Sequence, residues 1–176
     1  MILLIPIVAI SGKRGEFVSG KFSFRNGKPY LTERSDFIEN VKEQCAKSNT
    51  VGILDIDGFS SRSINSNIIK EVKIRGRNTI LITRIETLDD VFDTLCSNFD
   101  TIAIPNHTSE KGLIHDALKI SDSVMPIGFF VDGKEIESGK TKTEYISETI
   151  GIMGKVLILD ADTGEMEGYD SLITAE

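Results

Sequence analysis

LILDADTGEMEGYD, residues 157–170, opens with an apolar run that ends in Asp-x-Asp and then meets a glycine. GILDIDGF, residues 52–59, is nearly the same phrase. A short apolar run stopped by acids and a glycine reads as a buried strand entering a loop. Side chains alternate along a strand, so Asp55 and Asp57 point to one side of theirs, as do Asp160 and Asp162. Carboxylates at the C-terminal ends of such strands can hold a metal or move protons, which makes all four candidate catalytic residues. In the plainer reading, one aspartate of each pair satisfies loop N–H groups or caps a helix, and the other is solvated.

The duplication extends upstream. IPIVAISGK at 5–13 resembles MPIGFFVDGK at 125–134 with one residue inserted, each ahead of its Asp-x-Asp strand. The chain thus looks like four βα modules followed by half of a second set. Apolar β-rich runs recur at 2–10, 51–56, 79–85, 101–105, 124–131 and 155–160, each followed by a polar segment of helical periodicity. That alternation predicts a parallel sheet. Helical stripes are expected at Phe37, Ile38, Val41 and Cys45; at Leu88, Val91, Phe92 and Leu95; and at Leu113, Ile114, Ala117 and Leu118. Thr87 with Asp90, and Thr141 with Glu144, fit capping boxes that start two helices. Between Ser11 and Leu31 the pattern alternates, with turn signals at Gly12, Gly20 and Asn26-Gly27, which predicts a β-hairpin inserted after the first strand, over one mouth of the sheet. Residues 134–142 read as a solvated loop.

With 176 residues, 40% hydrophobic and 27% charged, the chain is expected to form one domain over 1–176. Its 20 basic residues against 27 acidic ones, a net charge of −7, argue against nucleic acid as a partner. MILLIPIVAI is too short to span a bilayer, which takes about 20 apolar residues, and lacks the basic start and cleavage site of a signal peptide, so no membrane partner is expected. Cys45 and Cys96 fall where helices would bury them, which suggests reduced thiols and a cytoplasmic protein. With His107 and His115 they offer no metal-binding spacing, and neither metal nor cofactor is expected.

Taken in order, IPIVAISGK, ILDIDG, TRIETLDDV and LILDADTGEMEGYD resemble the anchor phrases of the (βα)8-barrel ProFAR isomerase and cyclase family of histidine biosynthesis. The likeness implies a TIM-barrel-like parallel sheet. A complete barrel takes about 250 residues, so about six of the eight βα units would be present. The family's acid–base carboxylates and its threonine would fall near Ala9, Phe129 or Phe130, and Leu159, none of which can transfer a proton. Its first phosphate site would read Ile82-Thr83-Arg84-Ile85-Glu86 with Pro105-Asn106-His107-Thr108, where Thr83, Arg84, Asn106, His107 and Thr108 are candidate ligand contacts. Arg84 could equally pair with Glu86.

The resemblance therefore implies a diverged protein that has lost the isomerase activity and binds a phosphorylated or anionic small metabolite at the strand C-termini. An active sugar-phosphate isomerase using the Asp-x-Asp carboxylates, a non-catalytic scaffold subunit and, from ILDIDGF alone, a haloacid-dehalogenase-like phosphatase are the alternatives. Six strands would leave the first and sixth with open edges, so a homo-oligomer is expected, unless the hairpin at 14–31 rearranges to fill the gap.

Overall fold

The computed structural model describes residues 3–13, 16–61, 77–97, 99–106 and 112–170. In chain order the elements are β1 (Leu3–Lys13), β2 (Glu16–Arg25), β3 (Lys28–Asp36), α1 (Phe37–Lys47), β4 (Thr50–Asp55), α2 (Gly58–Ser61), β5 (Asn78–Ile82) and α3 (Leu88–Leu95). They continue with β6 (Thr101–Pro105), α4 (Leu113–Ile120), β7 (Val124–Val131), β8 (Lys134–Glu135), α5 (Lys142–Met153), β9 (Lys155–Asp160) and β10 (Glu165–Asp170).

Strands β1, β4, β5, β6, β7 and β9 lie side by side and parallel. Their apolar, β-branched runs suit strands covered on both faces. After β9 the chain turns through residues 161–164, closed by the Gly164 N–H donating to Asp160 O at 2.9 Å, and returns as β10. Strand β10 runs antiparallel to β9, with Met166 opposite Leu159, and antiparallel to β1, with Met166 opposite Ile5. It occupies the gap between the first and last parallel strands and closes the sheet into a barrel of seven.

This corrects the incomplete TIM-barrel-like (βα) sheet expected from the sequence. The barrel is mixed and closed, strands make up 48% of the described residues, and the five described helices are short. The physical reason lies in EMEGYD, where Met166 and Gly168 are buried and the residues between them are partly or fully exposed. That is the period of a strand with one face in a core. The edges invoked for self-association are thereby hydrogen-bonded within the chain.

Inside the barrel, Ile7, Ala9, Leu54, Ile82, Ala103, Ile127, Phe129, Leu157, Leu159 and Met166 form one apolar cluster. A barrel this narrow is filled by its own side chains. Outside it, α1 buries Phe37, Val41 and Cys45 on Val8, Ile10, Val51 and Ile53. Helices α3 and α4 cover Ile102 and Ile104 with Val91, Ile114 and Ala117, and α5 lays Tyr145 against Phe130, Val156 and Ile158. Each fully buried side chain of this kind contributes roughly 1.5–3 kcal/mol of transfer free energy. The stripe expected on α3 is rotated, since Thr94 is buried with Val91 while Leu88 and Phe92 are exposed. Cys96 lies just past the last turn of α3 and is exposed rather than buried.

The hairpin forms with Asn26 and Gly27 both at positive φ, 52° and 75°, the twist that a two-residue turn between paired strands requires. It reaches Asp36, farther than the sequence pattern suggests. Strand β2 pairs with the upper part of β1, from Ala9 to Lys13, where β10 no longer does. Phe22, Phe24 and Leu31 then pack onto the barrel core, with Phe24 stacked on Phe129 at 4.7 Å and Phe59 edge-on to Phe129 at 5.9 Å. Aromatic side chains therefore plug the carboxyl-terminal mouth. Among the described residues no helix is long and apolar enough to cross a membrane.

Candidate functional site

The carboxyl ends of β1, β4, β5, β6, β7 and β9 converge at the plugged mouth, and the Asp-x-Asp pairs sit on its margin. Strand β4 ends at Asp55, which is 3% exposed and accepts from the Gly58 N–H and the Thr83 hydroxyl, each at 3.3 Å. The chain turns at 56–57, so Asp57 leaves that face and accepts from the Ser11 hydroxyl at 2.9 Å and the Gly12 N–H at 2.6 Å. One carboxylate thus fastens β4 to its helix and to β5, and the other fastens the β4 turn to β1.

The second pair is tied in a similar way. Asp160, 4% exposed, accepts from the Asp162 N–H at 2.9 Å and receives Lys142 Nζ of α5 at 2.5 Å. Asp162 accepts from the Asp132 N–H at 2.8 Å, joining the β9–β10 turn to the β7–β8 turn. Burial lowers the Lys142 pKa, but the hydrogen bond and charge of Asp160, with Glu167 and Asp162 behind it, outweigh this and hold the ammonium above its usual value. Among the described residues no three His, Cys, Asp or Glu side chains gather closely enough to hold a metal.

Thr83 is spent on Asp55 and is 2% exposed. The backbone O of Asn106 receives the Tyr145 hydroxyl, and its side-chain nitrogen is buried without a partner among the described residues. Burial, then the charge of Glu135, pushes the Tyr145 pKa far up, so it stays a neutral donor. His107 and Thr108 lie outside the described residues, and His115 is half-buried on α4.

Arg84 remains in contact with solvent. It follows β5, its side chain is 23% exposed, and it pairs with Glu86 at 2.7 Å. It borders a hollow of about 280 Å³ that Phe59, Phe129 and the hairpin turn Asn26-Gly27-Lys28 also line. Glu86, Pro105 and Glu137 complete the rim. The hydrogen bond that Arg84 donates to Glu86 raises its pKa further, so this cation does not titrate in any ordinary range.

Lys28, Phe59 and Phe129 are site residues that the sequence reading did not single out as ligand contacts. The hairpin turn was visible, but the strand ends it would face were not. Residues 134–142 are also more than a solvated loop, because Glu135 is 1% exposed and accepts from the N–H groups of Glu137 and Ser138, each at 2.7 Å.

No known protein family and no curated protein matches this chain. The closed mixed barrel is not a TIM barrel, and there is no evidence for the histidine-biosynthesis family.

Proposed function

We propose that this protein binds a small anionic metabolite, a phosphate monoester or a carboxylate of modest size, in the hollow beside Arg84. The observation that carries this reading is a guanidinium, paired with Glu86, beside a hollow that Lys28 also lines. A planar, multiply donating cation suits phosphate or carboxylate. At about 280 Å³ the hollow is near the lower end of ligand sites, which favours a small metabolite over a dinucleotide. Glu86 already bonds Arg84, so the ligand competes with a carboxylate of the same charge. The Asp-x-Asp carboxylates are engaged with turn N–H groups, Ser11, Thr83 and Lys142, and the reading therefore assigns binding rather than turnover. The free thiols Cys45 and Cys96 suit a reducing cytoplasm.

Calorimetric titration with ribose 5-phosphate and with inorganic phosphate tests it. Removing one charge-assisted contact costs about 1.5–3 kcal/mol, so Arg84→Gln should weaken binding roughly tenfold to a hundredfold. An unchanged affinity in Arg84→Gln, or no saturable binding at millimolar ligand, refutes it.

A further inference from the structure

Four charged side chains line the hollow beside Arg84, and their charges cancel. Arg84 and Lys28 are the cations, Glu86 and Glu137 the carboxylates.

Both carboxylates stand on segments fixed from beneath. Glu86 precedes α3, and its N–H donates to Asp90 Oδ2 at 2.9 Å within the network that caps that helix. Its side chain accepts from Arg84 at 2.7 Å. Glu137 follows Ile136, which packs on the barrel core and whose N–H donates to the Phe129 carbonyl at 3.0 Å. The N–H groups of Glu137 and Ser138 both donate to the buried carboxylate of Glu135, which holds the turn. Glu137 Oε1 then lies 3.4 Å from where a Cβ on Gly27 would stand, so it reaches the hairpin turn that carries Lys28.

This pattern narrows the kind of anion that fits. A ligand that binds Arg84 takes the guanidinium from Glu86, and the charge of Asp90 also acts on that cation. A purely negative ligand therefore enters beside Glu86, Asp90 and Glu137 and deprives the first of its ion pair. Like charges brought together in this way oppose binding. A ligand that also carries an ammonium offers the acids a cation in exchange, so ion pairs are swapped rather than lost. A primary ammonium has three donors to share among them. A volume of about 280 Å³ leaves room for only a short spacer between the two charges.

We infer that the ligand of this hollow is a zwitterion, a phosphate monoester or carboxylate with a primary ammonium a few bonds away. Arg84 and Lys28 hold its anionic end, and Glu86 and Glu137 hold the ammonium. This rests on the anion-binding reading and narrows it to one class of ligand.

The test is calorimetric titration with two probes that differ only in the amine, O-phosphoethanolamine and ethyl phosphate. The pair β-alanine and propionate repeats the comparison for a carboxylate. An ion pair at a solvated rim is worth up to about fivefold, so the amine should tighten binding of the better-bound pair by roughly that factor, and added salt should shrink the difference. Glu86→Gln and Glu137→Gln, both at exposed positions, should each reduce the preference. The double variant should abolish it while binding ethyl phosphate more tightly than the unaltered protein does. Should the double variant not fold, Glu137→Gln alone decides, since it leaves the Arg84 pair intact. Equal affinity for the aminated and plain probes, or a preference that survives substitution in a folded variant, overturns the inference and leaves the anion-binding reading standing. If none of the four probes binds, the anion-binding reading falls and this one falls with it.

Discussion

Met166→Ala tests whether β10 is part of the barrel wall. Met166 is fully buried, faces Ile5 on one neighbour and Leu159 on the other, and its Cε lies 3.2 Å from where a Cβ on Gly52 would stand. Deleting the side chain beyond Cβ leaves a void against a glycine, which has no side chain to move into it. Methionine-to-alanine changes in cores cost about 2–5 kcal/mol, and poor relaxation places this one at roughly 3–4 kcal/mol. For a chain of this size each kcal/mol lowers the melting temperature by about 2–4 °C, so a fall of about 10 °C is expected. Urea unfolding should show the loss in the midpoint with an unchanged slope, and Met166→Leu should cost less than about 1.5 kcal/mol. A loss under about 1 kcal/mol, or a midpoint that moves with protein concentration, would refute closure of the barrel by β10 within one chain.

Gly20 has φ 153° and a Cβ there would run into the Glu33 carbonyl, so Gly20→Ala should cost about 1–3 kcal/mol and speed hydrogen exchange of the β2 and β3 amides. Thr141 caps α5 with its hydroxyl while Glu144 reaches back, so Thr141→Ala should lower stability by about 1 kcal/mol in urea, whereas Thr143→Ala, outside the capping box, should change little. Lys142 has a folded pKa above the ordinary lysine value of 10.5, so its contribution is fully present below that pH and is lost as pH rises through the folded value. Lys142→Met should remove that part of the alkaline loss of stability, measured as unfolding midpoint against pH from 9 to about 12.

What the sequence disclosed was what neighbouring residues determine. The six parallel strands appear close to the expected spans, Thr87 and Thr141 both form full capping boxes, and Asn26-Gly27 makes the turn. Closure depends on Leu3 meeting Gly168, residues at opposite ends of the chain, and no local pattern encodes that pairing. EMEGYD alternates as a strand should, but its acids and glycine are poor strand formers, so no strand was expected after the run at 155–160. The Asp-x-Asp pairs were legible as strand ends. Their roles were not, because Ser11, Thr83 and Lys142, which engage them, lie far away in sequence.

The closing strand also explains why the candidate sites lie where they do. In an eight-stranded parallel barrel every strand delivers its carboxyl end, with a loop, to one open mouth. Here six do, and β10 runs the other way, so the turn before it, carrying Asp162 and Gly164, takes one flank of that mouth while the β2–β3 hairpin lays Phe22 and Phe24 over the rest. The carboxylates of β4 and β9 are thereby drawn into fastening turns. One hollow survives at the margin, where β5 and β6 end beside the hairpin turn, and Arg84 stands there. Meanwhile β10 ends at the opposite mouth, where Gly168, Tyr169 and Asp170 line a shallow hollow. One antiparallel strand thus closes the sheet and also decides which turns line its carboxyl-end mouth.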